Sequence, residues 1–505
     1  MSVTKAKSFC RFCVFAFLVL SVSFEVASFM SQLVRGLIGE SQTPFLLIDA
    51  ESAVFYAPSF LTPALVSIIL FCWIPLFAVR LVVTKVRSGL ATRFPSKVLE
   101  QLSCPSRLDR YSLLIAVLSI SSVLIIALYP YFPPLNPWGK FVGVDIPFYQ
   151  KGLLDLAGAG DPFAVLQRAL LAYRDRPLTY LILLSTWRLT WLQPMEFVKF
   201  YPILLVVALV SVVYFSSRLM GLSKFTSSMV MLFTSFSFHV TTGMYGGFIA
   251  NLTALVIMYP FWGLTIAATR KKSWVIFAGA LLANSLMLLA HAYTWAMNVG
   301  VLFFYVMFSF LENLKREGRR FDFLMSMLLL VLSVIPFLLS IALMNVDISG
   351  TDVYRTLVGG VSIKNLQSFQ SNLLKSVMSY KGSTFINPFV FAFSLVGLLV
   401  AFFSEQALSR LLRAFAVGSS IIFVAGNYVI QSRVLYNVPF QILALVGLFS
   451  LILALRRSGS CFENSRLGYA CTALIALLFI LINLNYALRC AYILTTINFF
   501  PGSMM

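Results

Sequence analysis

Charge is scarce in this chain. Only 11% of its 505 residues are Asp, Glu, Lys or Arg, where a soluble domain carries about 25%. Carboxylates number 18 and histidines two. With 60% of its residues hydrophobic, the chain has more apolar surface than a core of its own could hide. Soluble, disordered and disulfide-scaffold classes are therefore excluded. The seven cysteines, at 10, 13, 72, 104, 461, 471 and 490, show no disulfide-framework spacing. Cys10 and Cys13 lack a second pair, and two histidines without a paired carboxylate do not make a zinc centre.

What is abundant is apolar. Phe alone occurs 48 times. Runs of roughly 20 apolar residues, the length that crosses a bilayer core of about 30 Å, fall at 12–34, 61–83, 111–130, 199–219, 225–243, 249–269, 274–291, 293–311, 323–344, 387–404, 410–430, 434–455 and 467–487. The fold class expected is an all-α polytopic membrane protein of about 13 transmembrane helices. Residues 1–34 open with Lys5, Lys7 and Arg11. Cleavage at Ala27-Ser28 is one reading, but Glu25 and its bulky neighbours favour an uncleaved helix.

The net charge of +20 does not point to nucleic acid, because the cations cluster in short segments between apolar runs. That is the pattern of cytoplasmic loops. Segment 177–192 (PLTYLILLSTWRLTWL) decides the topology. If it lies at the interface, most of the 38 cations fall inside, in segments 1–11, 84–110, 218–224, 270–273, 312–322, 405–413 and 456–466. If it spanned, Arg270 to Lys272, the Lys315–Arg320 cluster and Arg456-Arg457 would all move outside, against the positive-inside rule. It is read as a juxtamembrane helix with a Thr179, Thr186, Thr190 stripe and interfacial Trp187 and Trp191.

This gives a multi-pass cell-membrane protein with a cytoplasmic N-terminus and two large outer regions, 131–198 and 345–386. Three sections are expected: 1–110, a two-helix membrane extension with a cytoplasmic loop; 111–344, a membrane module holding outer loop 131–198; and 345–505, an outer loop with C-terminal transmembrane helices. Ionisable residues inside the expected spans are few, chiefly Glu25, Arg80, His239 and the flanking Arg218. An ion-coupled transporter would bury more of them at mid-membrane. The polar groups gather instead at the outer mouth.

Gly143-Val144-Asp145-Ile146-Pro147-Phe148-Tyr149 follows the outward end of 111–130. Tyr173-Arg174-Asp175-Arg176-Pro177-Leu178-Thr179-Tyr180 then opens the juxtamembrane helix. Glu196 to Pro202 begins the next span, which exits at Ser217-Arg218 with Gly221 beyond. This ordered series resembles the GT-C superfamily of membrane glycosyltransferases, and within it the protein O-mannosyltransferase and lipid A aminoarabinose transferase branch, over roughly 111–300. The Trp-Trp-Asp-Tyr-Gly signature of the oligosaccharyltransferase branch is absent.

The resemblance implies a GT-C-like bundle with 111–344 as its catalytic module. It implies a polyprenyl-phosphate-linked sugar donor and a protein, lipid or glycan acceptor on the outer face. Asp145 would be the base of an inverting single displacement; its alternative is a turn cap before Ile-Pro. A phosphate leaves without a general acid but needs positive charge. Arg176, beside Arg174, would supply it from the Pro-Leu-x-Tyr motif, the alternative being a headgroup contact. Arg433 would supply it from a late outer helix start, the alternative being a snorkelling anchor. Tyr149, His291 and Tyr436 complete the candidate substrate contacts. Asp155 and Asp161 are expected to cap helices, and Asp175 to pair internally with an arginine. The turn Thr242 to Asn251 carries no carboxylate where several relatives have one, so metal-independent, cofactor-free transfer is expected. A lipid or polysaccharide transporter or flippase is the alternative function, and a non-catalytic scaffold a third.

Overall fold

A computed structural model of the chain describes residues 3–38, 93–133, 136, 137, 139, 141–143, 145–315, 320–344, 387–421, 433–457 and 466–496. The expected span 61–83 and the outer loop 345–386 lie outside the described residues.

Among the described residues the secondary structure is helical throughout. The helices are α1 (Val3–Ile38), α2 (Arg93–Ser103), α3 (Ser112–Leu128), α4 (Ile146–Ala157), α5 (Pro162–Ala172), α6 (Pro177–Arg188), α7 (Pro194–Leu219), α8 (Lys224–Ser235) and α9 (Phe238–Gly246). They continue as α10 (Ile249–Lys271), α11 (Trp274–Ala290), α12 (Ala292–Lys315), α13 (Arg320–Met344), α14 (Pro388–Phe402), α15 (Ala407–Ile421), α16 (Phe440–Arg457) and α17 (Arg466–Thr496). Among the described residues, seven segments are long and apolar enough to cross a membrane, within α1, around α3, and in α7, α10, α12, α13 and α17. The chain is a polytopic all-α bundle.

The juxtamembrane reading of 177–192 agrees with the geometry. Helix α6 has 12 residues, about 18 Å, well short of a bilayer core. The Tyr131 hydroxyl, just beyond α3, donates to the Lys199 carbonyl in the first turns of α7 (2.8 Å), and Lys199 Nζ donates to the Gly139 carbonyl (2.8 Å). The end of α3 and the start of α7 thus meet, so α4, α5 and α6 stay at one end of the bundle.

Two expected spans differ in detail. Segment 225–243 is broken into α8 and α9 around an extended Ser237. The Ser235 and Ser237 hydroxyls turn back onto the Leu232 and Thr234 carbonyls (2.6 and 2.8 Å), competing with the backbone ladder that a continuous helix needs. Segment 434–455 starts its helix only at Phe440, after Pro439, with Arg433 to Tyr436 forming a separate helical turn.

Close backbone approaches set the packing. A Cβ at Gly397 of α14 would collide with the Leu443 carbonyl of α16, and one at Gly447 with the Phe393 carbonyl, the small-residue crossing typical of membrane helices. Helix α1 lies along α17, where buried Asn485 Nδ2 donates to the Glu25 carbonyl (2.9 Å) and to its carboxylate (2.6 Å). Glu312 of α12 sits buried against two arginines of α15. Arg410 donates to it from Nε (3.2 Å) and Nη2 (2.7 Å), and Arg413 from Nη2 (2.5 Å). Sequence alone places Glu312 in a connecting segment and Arg410 and Arg413 where segment 405–413 overlaps the run 410–430; the helices carry all three inside.

Candidate active site

The loop between α3 and α7 is built by three short helices that each carry a proline in the first turn. Pro147, Pro162 and Pro177 occupy first-turn positions, where the missing N–H costs nothing and φ is already helical. Asp161 caps α5 by accepting from Phe163 and Ala164 N–H, both 2.9 Å, as the Asp-Pro pair predicts. Asp155 is not a cap. It lies within α4 and reaches α5 through Arg168 (3.2 Å) and the loop beyond through the Tyr173 hydroxyl (3.0 Å).

Asp145 stands at the N-terminus of α4 and its side chain makes no cap hydrogen bond. Its backbone N–H donates to the Gly246 carbonyl (3.3 Å), and its own carbonyl accepts from Phe148 and Tyr149 (3.1 and 3.3 Å). Two glycines allow this apposition. Gly143 has φ +125° and Gly247 φ +69°, a region that residues with a Cβ rarely adopt. A Cβ on Gly143 would lie 2.7 Å from the Gly247 Cα. The carboxylate-free turn after α9 is therefore the floor beneath Asp145.

Tyr149, one turn into α4, is the hub. Its buried hydroxyl accepts from the Ala250 N–H at the start of α10 (3.0 Å) and from Arg176 Nη1 (3.1 Å). Burial pushes the phenol above its ordinary pKa; the Arg176 charge pulls it back and the Asp145 carboxylate pushes it up. Arg176 is clamped on its other edge by Asp175, Nε at 2.7 Å and Nη2 at 2.5 Å. The Asp175 carbonyl accepts from Ala292 N–H (3.2 Å), and the Thr179 hydroxyl donates to the Ala290 carbonyl (2.8 Å). These bonds fasten the start of α6 to the α11–α12 break. Arg176 keeps 32% of its side chain exposed, so the guanidinium is held in place without being sealed. Arg174 is exposed on the same turn.

His291 occupies that α11–α12 break in extended conformation, φ −163°. Its Nδ1 accepts from the Thr294 N–H (3.3 Å) and meets the Thr294 hydroxyl at 2.7 Å. The backbone donor assigns the neutral tautomer with its proton on Nε2. Burial holds its pKa well below the imidazole value, and the Arg176 and Arg433 charges press it further down. Arg433 is half-buried on its helical turn.

Asp145 and Arg176 thus both act on Tyr149, and Arg176 and Arg433 both act on His291. Five expected site residues share one neighbourhood at the α3/α7 end of the bundle. Tyr436 does not join them at the surface. It is fully buried, its hydroxyl donates to the His239 carbonyl (2.8 Å), and its ring meets Phe238 and Phe248 edge-on. Sequence reading missed the roles of Gly143, Gly247 and Thr179. The Gly246-Gly247 pair was a visible signal for a close approach.

No protein-family model matches the chain, and no curated protein matches it. Among solved structures it is similar to the archaeal oligosaccharyltransferase AglB from Archaeoglobus fulgidus, determined in complex with an inhibitory peptide and a dolichol-phosphate. The identity is 14% and the TM-score 0.48, over 77% of this chain and 56% of that one. The chain spans little more than half the length of that protein.

Proposed function

We propose that this protein is a membrane glycosyltransferase of the GT-C type, moving a sugar from a polyprenyl-phosphate-linked donor to a hydroxyl acceptor at the outer face. The observation that carries the reading is the set Asp145, Tyr149, Arg176, His291 and Arg433 at one membrane end, where Asp145 opens the helix that carries Tyr149, Tyr149 takes the Arg176 hydrogen bond, and His291 feels both guanidinium charges.

In the proposed step Asp145 accepts the proton of the acceptor hydroxyl. The freed oxygen attacks the anomeric carbon and forms the new glycosidic bond, with inversion. The bond from that carbon to the phosphate oxygen breaks, and its electron pair leaves with the phosphate. Arg176, pre-oriented by Asp175 and Tyr149, and Arg433 offset the developing charge. The neutral His291 adds no charge there; its polar edge suits a sugar hydroxyl. A protein, lipid or glycan acceptor satisfies the same chemistry. The outer-face assignment rests on the cation-rich opposite end.

The test is transfer in reconstituted vesicles supplied with labelled polyprenyl-phosphate sugar. Asp145→Asn should lower transfer by at least about 10²-fold, the usual share of a general base, with yield and melting unchanged. Donor that crosses the membrane without forming a covalent product would favour the transporter reading instead.

A further inference from the structure

A charged cleft lies at the far end of the bundle from Asp145. Segment Arg107–Tyr131 around α3, helix α7 (Pro194–Leu219) and helix α10 (Ile249–Lys271) each begin or end beside the Asp145 loop and are long enough to cross a bilayer. At their other ends they enclose a cleft of about 640 Å³ lined by Ser103, Asp109, Arg110, Arg218, Lys224 and Arg270, among others. Four cations face one carboxylate.

The cleft is built by the fold. Gly221 has φ +100°, a conformation that residues with a Cβ rarely adopt, and the exposed Arg270 guanidinium lies against it. Arg270 Nη2 donates to the Leu219 carbonyl (3.2 Å), and Arg218 donates to the Leu222 carbonyl. Both guanidiniums are thereby anchored on neutral oxygens, which leave their charge uncompensated. Asp109 is engaged elsewhere, its Oδ1 accepting the Phe225 N–H (2.9 Å). Among the described residues, none of the four cations is paired with a carboxylate. Helix α2 forms a rim: Val98, Leu99 and Leu102 are buried, and the Leu102 carbonyl accepts the Ser223 N–H (3.0 Å). Next to the cleft, Leu108, Tyr111 and Leu113 are exposed, as side chains facing lipid would be.

We propose that this cleft binds the phosphate of an anionic ligand in the leaflet opposite the transfer site. Guanidiniums, two of them hydrogen-bonded to backbone carbonyls, suit tetrahedral oxyanions, with lysine adding a mobile point charge. The unpaired positive charge selects the sign of the ligand, and the lipid-facing leucines at the rim put the cleft at headgroup depth. The phosphate can belong to a lipid headgroup or to free phosphate.

The full-length protein in nanodiscs tests this. Phosphatidylcholine discs with added phosphatidylglycerol are compared with plain discs plus inorganic phosphate, and retained ligand is counted by native mass spectrometry. Wild type should retain phosphatidylglycerol or phosphate. Arg110 and Lys224 make no backbone anchor, so Arg110→Gln with Lys224→Gln should weaken retention roughly fivefold per cation, on the order of 25-fold together. Lys271→Gln, at the same end but outside the lining, should change nothing. Retention of the lipid alone assigns a headgroup, and retention of phosphate alone assigns a soluble anion. No retention of either, or an equal loss in Lys271→Gln, overturns the proposal. If the double variant fails to fold, hydrogen exchange on wild type decides: ligand should protect residues 107–111 and 218–224, and unchanged exchange there refutes the site.

Discussion

The N–H of Asp145 donates to the carbonyl of Gly246, so the proposed base is held by the turn that joins α9 to α10 and not by a side-chain cap. The bond joins residues about a hundred positions apart, and two left-handed glycines make room for it.

Gly143→Ala tests that apposition. The added Cβ meets the Gly247 backbone and sits at a φ that alanine avoids. The cost should be about 1–3 kcal/mol of stability. Because a displacement of about 1 Å can cost 10²-fold in rate, transfer should fall far more than melting. Wild-type turnover in the folded variant would remove the packing argument.

Arg176→Lys keeps the charge and discards the fork. One ammonium cannot reproduce donation to Tyr149 on one side and Asp175 on the other. The donor KM should rise about tenfold, a loss of the order expected for charge-assisted bonds. Steady-state kinetics on donor concentration reads it, and an unchanged KM would place the phosphate elsewhere.

His291 makes the fold acid-sensitive. Its folded pKa lies well below the unfolded value of about 6.5, so the neutral form is the one the fold accepts. Its contribution is fully present above pH 6.5 and is lost as pH falls below it toward the folded value, at up to about 1.4 kcal/mol per pH unit. Melting of His291→Gln should therefore fall less between neutral and mildly acidic pH than that of wild type. Parallel curves would contradict the assignment.

Glu312→Ala would leave Arg410 and Arg413 buried without their shared carboxylate. Removing one partner of such a cluster costs about 3–5 kcal/mol. The variant should melt earlier or fail to accumulate, and near-normal stability would mean that solvent reaches the arginines.

Local signals were readable where the residues act on their own neighbours. Asp161-Pro162 reads as a cap and first helical position, and it is one. Asp175 between two arginines reads as an ion-pair partner, and it pairs with Arg176. Asp155, also expected to cap, departs from that, because Arg168 of α5 and Tyr173 in the loop beyond it reach its carboxylate. Tyr436 next to Arg433 reads as a site residue, yet the helical turn directs it into the core against His239.

Composition and run length determined the membrane class, because an apolar run's ability to cross a bilayer depends on its own residues alone. Segment length and cation placement likewise determined that Pro177–Arg188 stays at one interface. Tertiary structure alone decided which groups meet. Tyr149 joins Arg176 to the start of α10, Gly143 seats against Gly247, and Glu312 finds two arginines on α15. Those partners are from tens of residues to about a hundred apart, and their contacts depend on helix crossings that no single segment encodes.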